Sequence, residues 1–279
     1  MITALDHFVL ACPNFAEAIR DYEQLLGRKP VWEASADGVA SALFAVGNTA
    51  LEVLGPDGAS VAADSLRAIT ASGAKLTSLV YRSDDLPEDH RLMTRRALLP
   101  GEIAPGTSVH AVTGAERKWT RFRIPDAKMA GVKTFVVQPE SVLAPQVVEP
   151  GAVLALDHLV INTPNPDRTL ANYGVRLGLR LALDRTAEQW KTRFLFFRLG
   201  DLTLEIIHRL DAAHDPAADD AVWGLTWTTD SLEAAHARLS SNGRNVSEIR
   251  TGRKPGTQVF TVRDGTQGIP TLFIAHALR

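Results

Sequence analysis

The chain repeats itself, and that repeat limits what it can fold into more than any other feature. Residues 5–14 read LDHFVLACPN and residues 156–165 read LDHLVINTPN, so Leu, Asp, His, Val, Pro and Asn recur at matching places. Further on, FAVGNTALEVL (44–54) matches FRLGDLTLEII (197–207). His7 and His158 lie 151 positions apart and Glu52 and Glu205 lie 153 apart, so the copies differ by a net two residues between these anchors. Self-similarity at this spacing predicts repeated structural units rather than one continuous design.

Between the anchors each copy carries a helix signature. Asn14 and Asn165 are suited to cap a helix, because their side chains can accept a first-turn N–H. Behind them Phe15, Ile19, Tyr22 and Leu26, or Leu170, Tyr173 and Leu177, fall at helical three-and-four spacing, and Gly27 and Gly178 end each run. The apolar stretches 41–46 and 193–199 predict strands, with Gly47-Asn48 and Gly200-Asp201 as hairpin turns. Each copy reads β-α-β-β-β. A fainter repeat follows each one: KLTSLVYRSDDL (75–86) parallels AVWGLTWTTDSL (221–232), and AGVKTFVV (130–137) and QGIPTLFI (267–274) close the units. The tract Glu233–Leu239 is helix material. The expectation is an α+β fold of four βαβββ modules, at about 1–58, 74–140, 152–210 and 220–277, grouped as domains 1–147 and 148–279 by the connector Pro139–Gly151.

Charge and cysteine content narrow the function classes. Thirty Lys and Arg against 32 Asp and Glu leave a formal charge of −2, so no global positive field exists to hold a phosphate backbone or an anionic membrane. The single cysteine, Cys12, excludes an intrachain disulfide and a Cys-rich zinc site. The run Phe8–Cys12 is too short for a secretory core, Asp6 and His7 stand where a basic region would be, and no apolar run approaches membrane-spanning length. A cytoplasmic protein with a small-molecule partner, and neither nucleic acid nor membrane, is expected; a homodimer stays open.

The LDH tripeptide on the first strand, the Pro-Asn turn into a helix ending at Gly, and G-N/D-x-x-LE on the last strand together resemble the vicinal oxygen chelate superfamily, which includes glyoxalase I, extradiol dioxygenases, methylmalonyl-CoA epimerase and bleomycin-resistance proteins. The resemblance covers nearly the whole chain. It implies two glyoxalase-like domains, in each of which paired modules curl a sheet round a cavity. It also implies that metal ligands come from the first and last strands of each partner module. His7 with Glu52 is one half of such a set and His158 with Glu205 is another, since imidazole and carboxylate suit a divalent metal. Aligning the fainter repeats by letter puts Ser78 and Gly224 at the first-strand ligand positions, and Val136 and Phe273 at the last-strand ones. Each cavity then offers one His and one Glu. A complete set of His7, Glu52, His158 and Glu205 forms only if module one meets module three, within the chain or across a dimer.

Two functional readings follow. In the first, no cofactor is needed, and a small organic molecule is bound in a sheet-lined cavity with His7, Glu52, His158 and Glu205 as polar anchors, as in the bleomycin-resistance branch. In the alternative, a divalent metal on those four residues serves a lyase, isomerase or dioxygenase. Beside each reading stands a structural one, a hydrogen-bonded acid and imidazole without chemistry. Strand alternation in Arg117-Lys118-Trp119-Thr120-Arg121-Phe122-Arg123 sets Arg117, Trp119, Arg121 and Arg123 on one face. That face either lines the cavity, with Trp119 and Arg121 as ligand contacts, or is solvated with Phe122 and Ile124 inside. Trp223 and Trp227 are expected on one face of strand 222–228, as core. His208 and His214 are expected at the surface, and His90, His110, His236 and His276 show no partner spacing. No phosphate loop, nucleophile elbow or H-E-x-x-H helix occurs, and nothing near Cys12 would stabilise a thiolate.

Overall fold

A computed structural model describes residues 1–146, 148 and 150–276. The first half runs β1 (Ile2–Ala11), α1 (Phe15–Leu26), β2 (Trp32–Ala36), β3 (Val39–Ala45), β4 (Ala50–Pro56), α2 (Val61–Ile69), β5 (Lys75–Ser83), α3 (Leu86–Arg95), β6 (Ala104–Val109), β7 (Glu116–Ile124) and β8 (Lys133–Pro139). The second half runs β9 (Val153–Asn162), α4 (Pro166–Thr169), β10 (Arg180–Ala187), β11 (Thr192–Leu199), β12 (Leu202–Arg209), β13 (Ala221–Thr229), α5 (Leu232–Ser241), β14 (Arg250–Thr251), β15 (Thr257–Val262) and β16 (Thr271–His276). Leu170–Arg176 continues α4 as a π-helical stretch. Asn14 and Asn165 cap their helices by accepting from the N–H of Glu17 and Arg168. Gly27, left-handed at φ 67°, closes α1. The linking helix α2 has no counterpart in the sequence reading.

The strands form two eight-stranded sheets of the same order, β2-β3-β4-β1-β5-β8-β7-β6 and β10-β11-β12-β9-β13-β16-β15-β14. The fold is α+β, with β1 beside β5 and β9 beside β13, so modules pair within each half. Trp32 of β2 donates its indole N–H to the Ser108 hydroxyl of β6 at 2.9 Å, and the Ala111 N–H reaches the Glu33 carbonyl at 2.8 Å. The two margins of the first sheet are thereby joined into a barrel. The connector leaves β8 and reaches β9; the expected boundary at Val147, and the expected module end at 277, lie outside the described residues.

One buried core holds both halves together. Phe8, Leu10, Leu79, Tyr81 and Val136 of the first sheet share it with Leu159, Ile161, Leu225, Trp227 and Phe273 of the second, and the helices add Tyr22, Leu25, Leu86, Met93, Leu232 and Leu239. Phe8 meets Trp227 at 6.1 Å between ring centres. Polar struts accompany the apolar contact. The buried Arg28 donates to the carbonyls of Ala45 and Val153, the Asn48 amide both donates to and accepts from the Leu156 backbone, and the Tyr22 hydroxyl donates to the Thr266 carbonyl. The sheets therefore meet through their convex faces, and their hollows lie on opposite sides of the core. Among the described residues no helix is long and apolar enough to cross a membrane.

Trp223 and Trp227 do not share a face. Trp227 is fully buried whereas Trp223 is 46% exposed. The cause is a bulge: Val222 pairs with Ile161 and Gly224 with Val160, so Trp223 is the extra residue and is turned outward.

Candidate functional site

Ladder register decides which side chains enter the first barrel. Val9 pairs with Glu52 on one side and Ser78 on the other; Ser78 in turn pairs with Lys133, giving one inward row. His7 pairs with Val80, Val80 with Phe135 and Phe135 with Arg123, giving a second. Together these rows line a cavity of about 260 Å³ whose polar wall holds His7, Glu52, Ser78, Arg121, Arg123 and Lys133. Val9, Leu54, Leu66, Ile69, Val80 and Phe135 complete it with apolar surface. The Arg121 and Arg123 guanidiniums lie 5.1 and 5.8 Å from the Phe135 ring centre. Arg123 is held by both oxygens of Asp126, at 2.8 and 2.9 Å.

The same register corrects the letter-by-letter alignment. Ser78 stands to β5 as His7 stands to β1, because His7 pairs with Val80 and Val9 with Ser78. The position matching Glu52 is then Phe135 and not Val136, since Val9 pairs with Glu52 and Val80 with Phe135. In the second sheet Val160 pairs with Glu205 and with Gly224, and Thr226 pairs with Leu272, so the match to Glu205 is Leu272 and not Phe273. Val136 and Phe273 point into the core. A one-residue offset reverses the face of every side chain, and the replacements are again non-coordinating.

At the centre of each hollow stands a string of three residues. His7 Nε2 lies 3.5 Å from Glu52 and its Nδ1 lies 2.8 Å from Asp6; His158 Nε2 lies 3.2 Å from Glu205 and its Nδ1 lies 2.7 Å from Asp157. Asp6 also accepts from Arg82 Nε at 2.9 Å, and Asp157 lies 2.6 Å from His276 Nε2. A register shift between Leu5 and His7, repeated between Leu156 and His158, allows adjacent Asp and His to engage one another on the inner face. Burial works to raise the pKa of both aspartates. The bonds and charges of His7 and Arg82, or of His158 and His276, outweigh it and bring each down to about 2. Burial raises the Glu205 carboxyl, against the charges of His158 and Arg253. In the second hollow Phe196 pairs with Glu205, and Arg253 lies 4.8 Å over the Trp190 ring.

The residues singled out in the sequence divide accordingly. His7, Glu52 and Arg121 line the first cavity. His158 and Glu205 meet in the other sheet. Trp119 lines neither of the cavities described here; its indole lies against Gly106, the residue it pairs with, where a Cβ would collide with the ring. Phe122 and Ile124 are buried, and Arg121, on the opposite face of β7, is exposed and borders the hollow. Asp6, Asp157, Arg82, Lys133, Phe135, Arg253 and His276 were not assigned in the sequence. Cys12 is buried, its thiol 3.2 Å from the Leu54 carbonyl; burial and then the Glu17 charge push its pKa up to about 12.

A divalent metal does not fit this donor set. Each hollow has one imidazole and one carboxylate at the ligand positions, opposite Ser78 and Phe135 or Gly224 and Leu272. A catalytic metal takes three or four protein ligands. Module one does not face module three within the chain, and the described residues contain no group of three or more His, Cys, Asp or Glu arranged for a metal ion.

Comparison with known proteins places this geometry. A family model described as glyoxalase-like domain matches residues 5–149, and one described as the glyoxalase/bleomycin resistance protein/dioxygenase superfamily matches residues 157–261. The chain is a glyoxalase-like protein of the vicinal oxygen chelate superfamily. No curated protein matches it in sequence. Among solved structures, this glyoxalase-like chain resembles a triple mutant of 4-hydroxymandelate synthase from Streptomyces coelicolor, at 13% identity and TM-score 0.72 over 100% of this chain and 94% of that one. It also resembles a Mn(II)-bound glyoxalase from Novosphingobium aromaticivorans, at 12% identity and TM-score 0.64 over 99% and 84%. A hypothetical protein from Staphylococcus aureus aligns at 8% identity and TM-score 0.62 over 98% and 99%. At these identities the likeness is one of fold.

Proposed function

We propose that the protein binds a small organic acid in the first barrel without a metal chelate. The observation that carries this reading is the pair Arg121 and Lys133, which line the cavity with no carboxylate partner among the described residues, beside a wall of Phe135, Val80, Leu54 and Ile69. A guanidinium binds a carboxylate through two parallel N–H donors, and the apolar wall takes the hydrocarbon. The size of the cavity lies at the small end of ligand sites, suiting one ring or a short chain. His7, oriented by Asp6, and Glu52 add polar groups for the rest of the molecule.

An arylcarboxylate such as benzoate should therefore raise the melting temperature, with a stabilisation that grows as the logarithm of its concentration above Kd. Arg121→Gln should weaken that effect at least tenfold in concentration, since a hydrogen bond to a charged group is worth about 1.5–3 kcal/mol. An Arg121→Gln protein stabilised as well as wild type would overturn the assignment. The metal-dependent lyase, isomerase or dioxygenase reading draws on the names of the structural neighbours, and it requires ligands that neither hollow supplies.

A further inference from the structure

Beyond Asp6, the barrel continues into a second chamber of about 310 Å³, bordered by Asp6, Arg82, Arg117 and Thr49 and roofed by connector residues Ser141–Pro145. The roof is anchored by Leu143, which packs on the buried cluster Trp32, Leu43 and Ala50. Arg117 is the unusual member. It forms no hydrogen bond or ion pair among the described residues, and its Nε is buried without a partner. Its guanidinium lies 5.3 Å from the Trp32 ring centre and 6.0 Å from that of Trp119. Both rings are fixed independently, Trp32 by its bond to Ser108 and Trp119 by its seat on Gly106.

The acids that could satisfy Arg117 are engaged elsewhere. One Asp6 oxygen is taken by His7 and the other by Arg82, while Glu52 lies against His7. A partly buried guanidinium without a hydrogen-bonding acceptor is costly; the charges of Asp6 and Glu52 favour Arg117, but neither carboxylate bonds it. Arg117 and Arg121 share a strand face four residues apart, about 13 Å at strand rise, and they border different cavities.

We propose that this roofed chamber is a second binding site, separate from the Arg121/Lys133 cavity, for a small oxyanion, a carboxylate or phosphate group, seated on Arg117 beneath the 141–145 connector. Aromatic faces on a guanidinium leave its in-plane N–H donors free, the geometry that two-pronged oxyanion recognition uses.

The indole N–H signals of Trp32 and Trp119 report on this chamber in a ¹⁵N-tryptophan NMR titration with inorganic phosphate or acetate at constant ionic strength, with chloride as control. Saturable movement of both signals is expected with one of the two oxyanions, and the one saturating at lower concentration identifies the headgroup. Arg117→Gln should weaken the titration at least tenfold and Arg121→Gln should leave it unchanged, which separates this site from the one proposed above. Absence of saturable movement, movement equally strong with chloride, or an unaltered titration in Arg117→Gln would overturn the proposal. The signals of Trp190, Trp223 and Trp227 show that each variant is folded. If Arg117→Gln is not, Arg117→Lys retains the charge without the fork; at least threefold weakening is expected, and none would count against the site.

Discussion

Asp6 and Asp157 are the residues on which the inner faces depend, and they also determine how the protein responds to acid. A carboxyl whose pKa is lowered by folding adds stability that is complete above its unfolded value, near 3.8, and is lost as pH falls through its folded value. With both folded values at about 2, the contribution of these two carboxyls should be complete above about pH 5 and fall between pH 4 and pH 2, by on the order of 2 kcal/mol for each group. Urea midpoints across that range measure it. Asp6→Asn should flatten part of the curve, and an unchanged curve would mean that the Asp6 contacts do not hold in solution. His7 and Glu52 are legible in the sequence because their residue types are chemically distinctive and recur in both copies. The aspartates recur equally, yet strict alternation assigns neighbours on a strand to opposite faces; only the bulge after Leu5 engages both on one side. Lys133 and Phe135 are hidden for a related reason, since the letters TFV align with TLE one residue away from the true ladder.

At the scale of elements, the order of strands and helices follows from caps, helical spacing and turns, which are local. The alternatives that sequence left open, the facing of modules and the role of β7, depend on long-range pairing of β1 with β5 and of β7 with β8. Some local features acquire a second role only in three dimensions. Asn48, in a hairpin turn, bonds the backbone of β9, and Gly151 ends the connector against α5. Gly151 has φ 79°, and a Cβ there would lie 2.6 Å from the Ala234 and Ala235 backbone. Its N–H donates to Asp230 and its carbonyl accepts from Arg238, so it cannot easily withdraw. Gly151→Ala should cost about 2 kcal/mol or more, from left-handed strain and displaced backbone. Chemical denaturation checks this; a loss below about 0.5 kcal/mol, the range of ordinary surface changes, would show that the contact yields.

In the whole molecule, duplication has produced two hollows with their backs to one core. Because Phe8 packs on Trp227 and Arg28 and Tyr22 donate across the divide, the halves should unfold together in one calorimetric transition, and two resolved transitions would show independent domains. The hollows differ in content. The first has Arg121, Lys133 and the Arg117 chamber, while the second has Arg253 over Trp190 and a buried Glu205. Both share an Asp-His-Glu string, and at the positions matching its His and Glu the partner modules carry Ser78 and Phe135, or Gly224 and Leu272. Whether the first hollow works without metal is tested most directly by calorimetric titration of chelator-treated protein with benzoate, before and after addition of Mn²⁺. Saturable binding of the same affinity in both titrations is expected. Binding that arises only once the metal is supplied, and that His7→Ala abolishes, would contradict it.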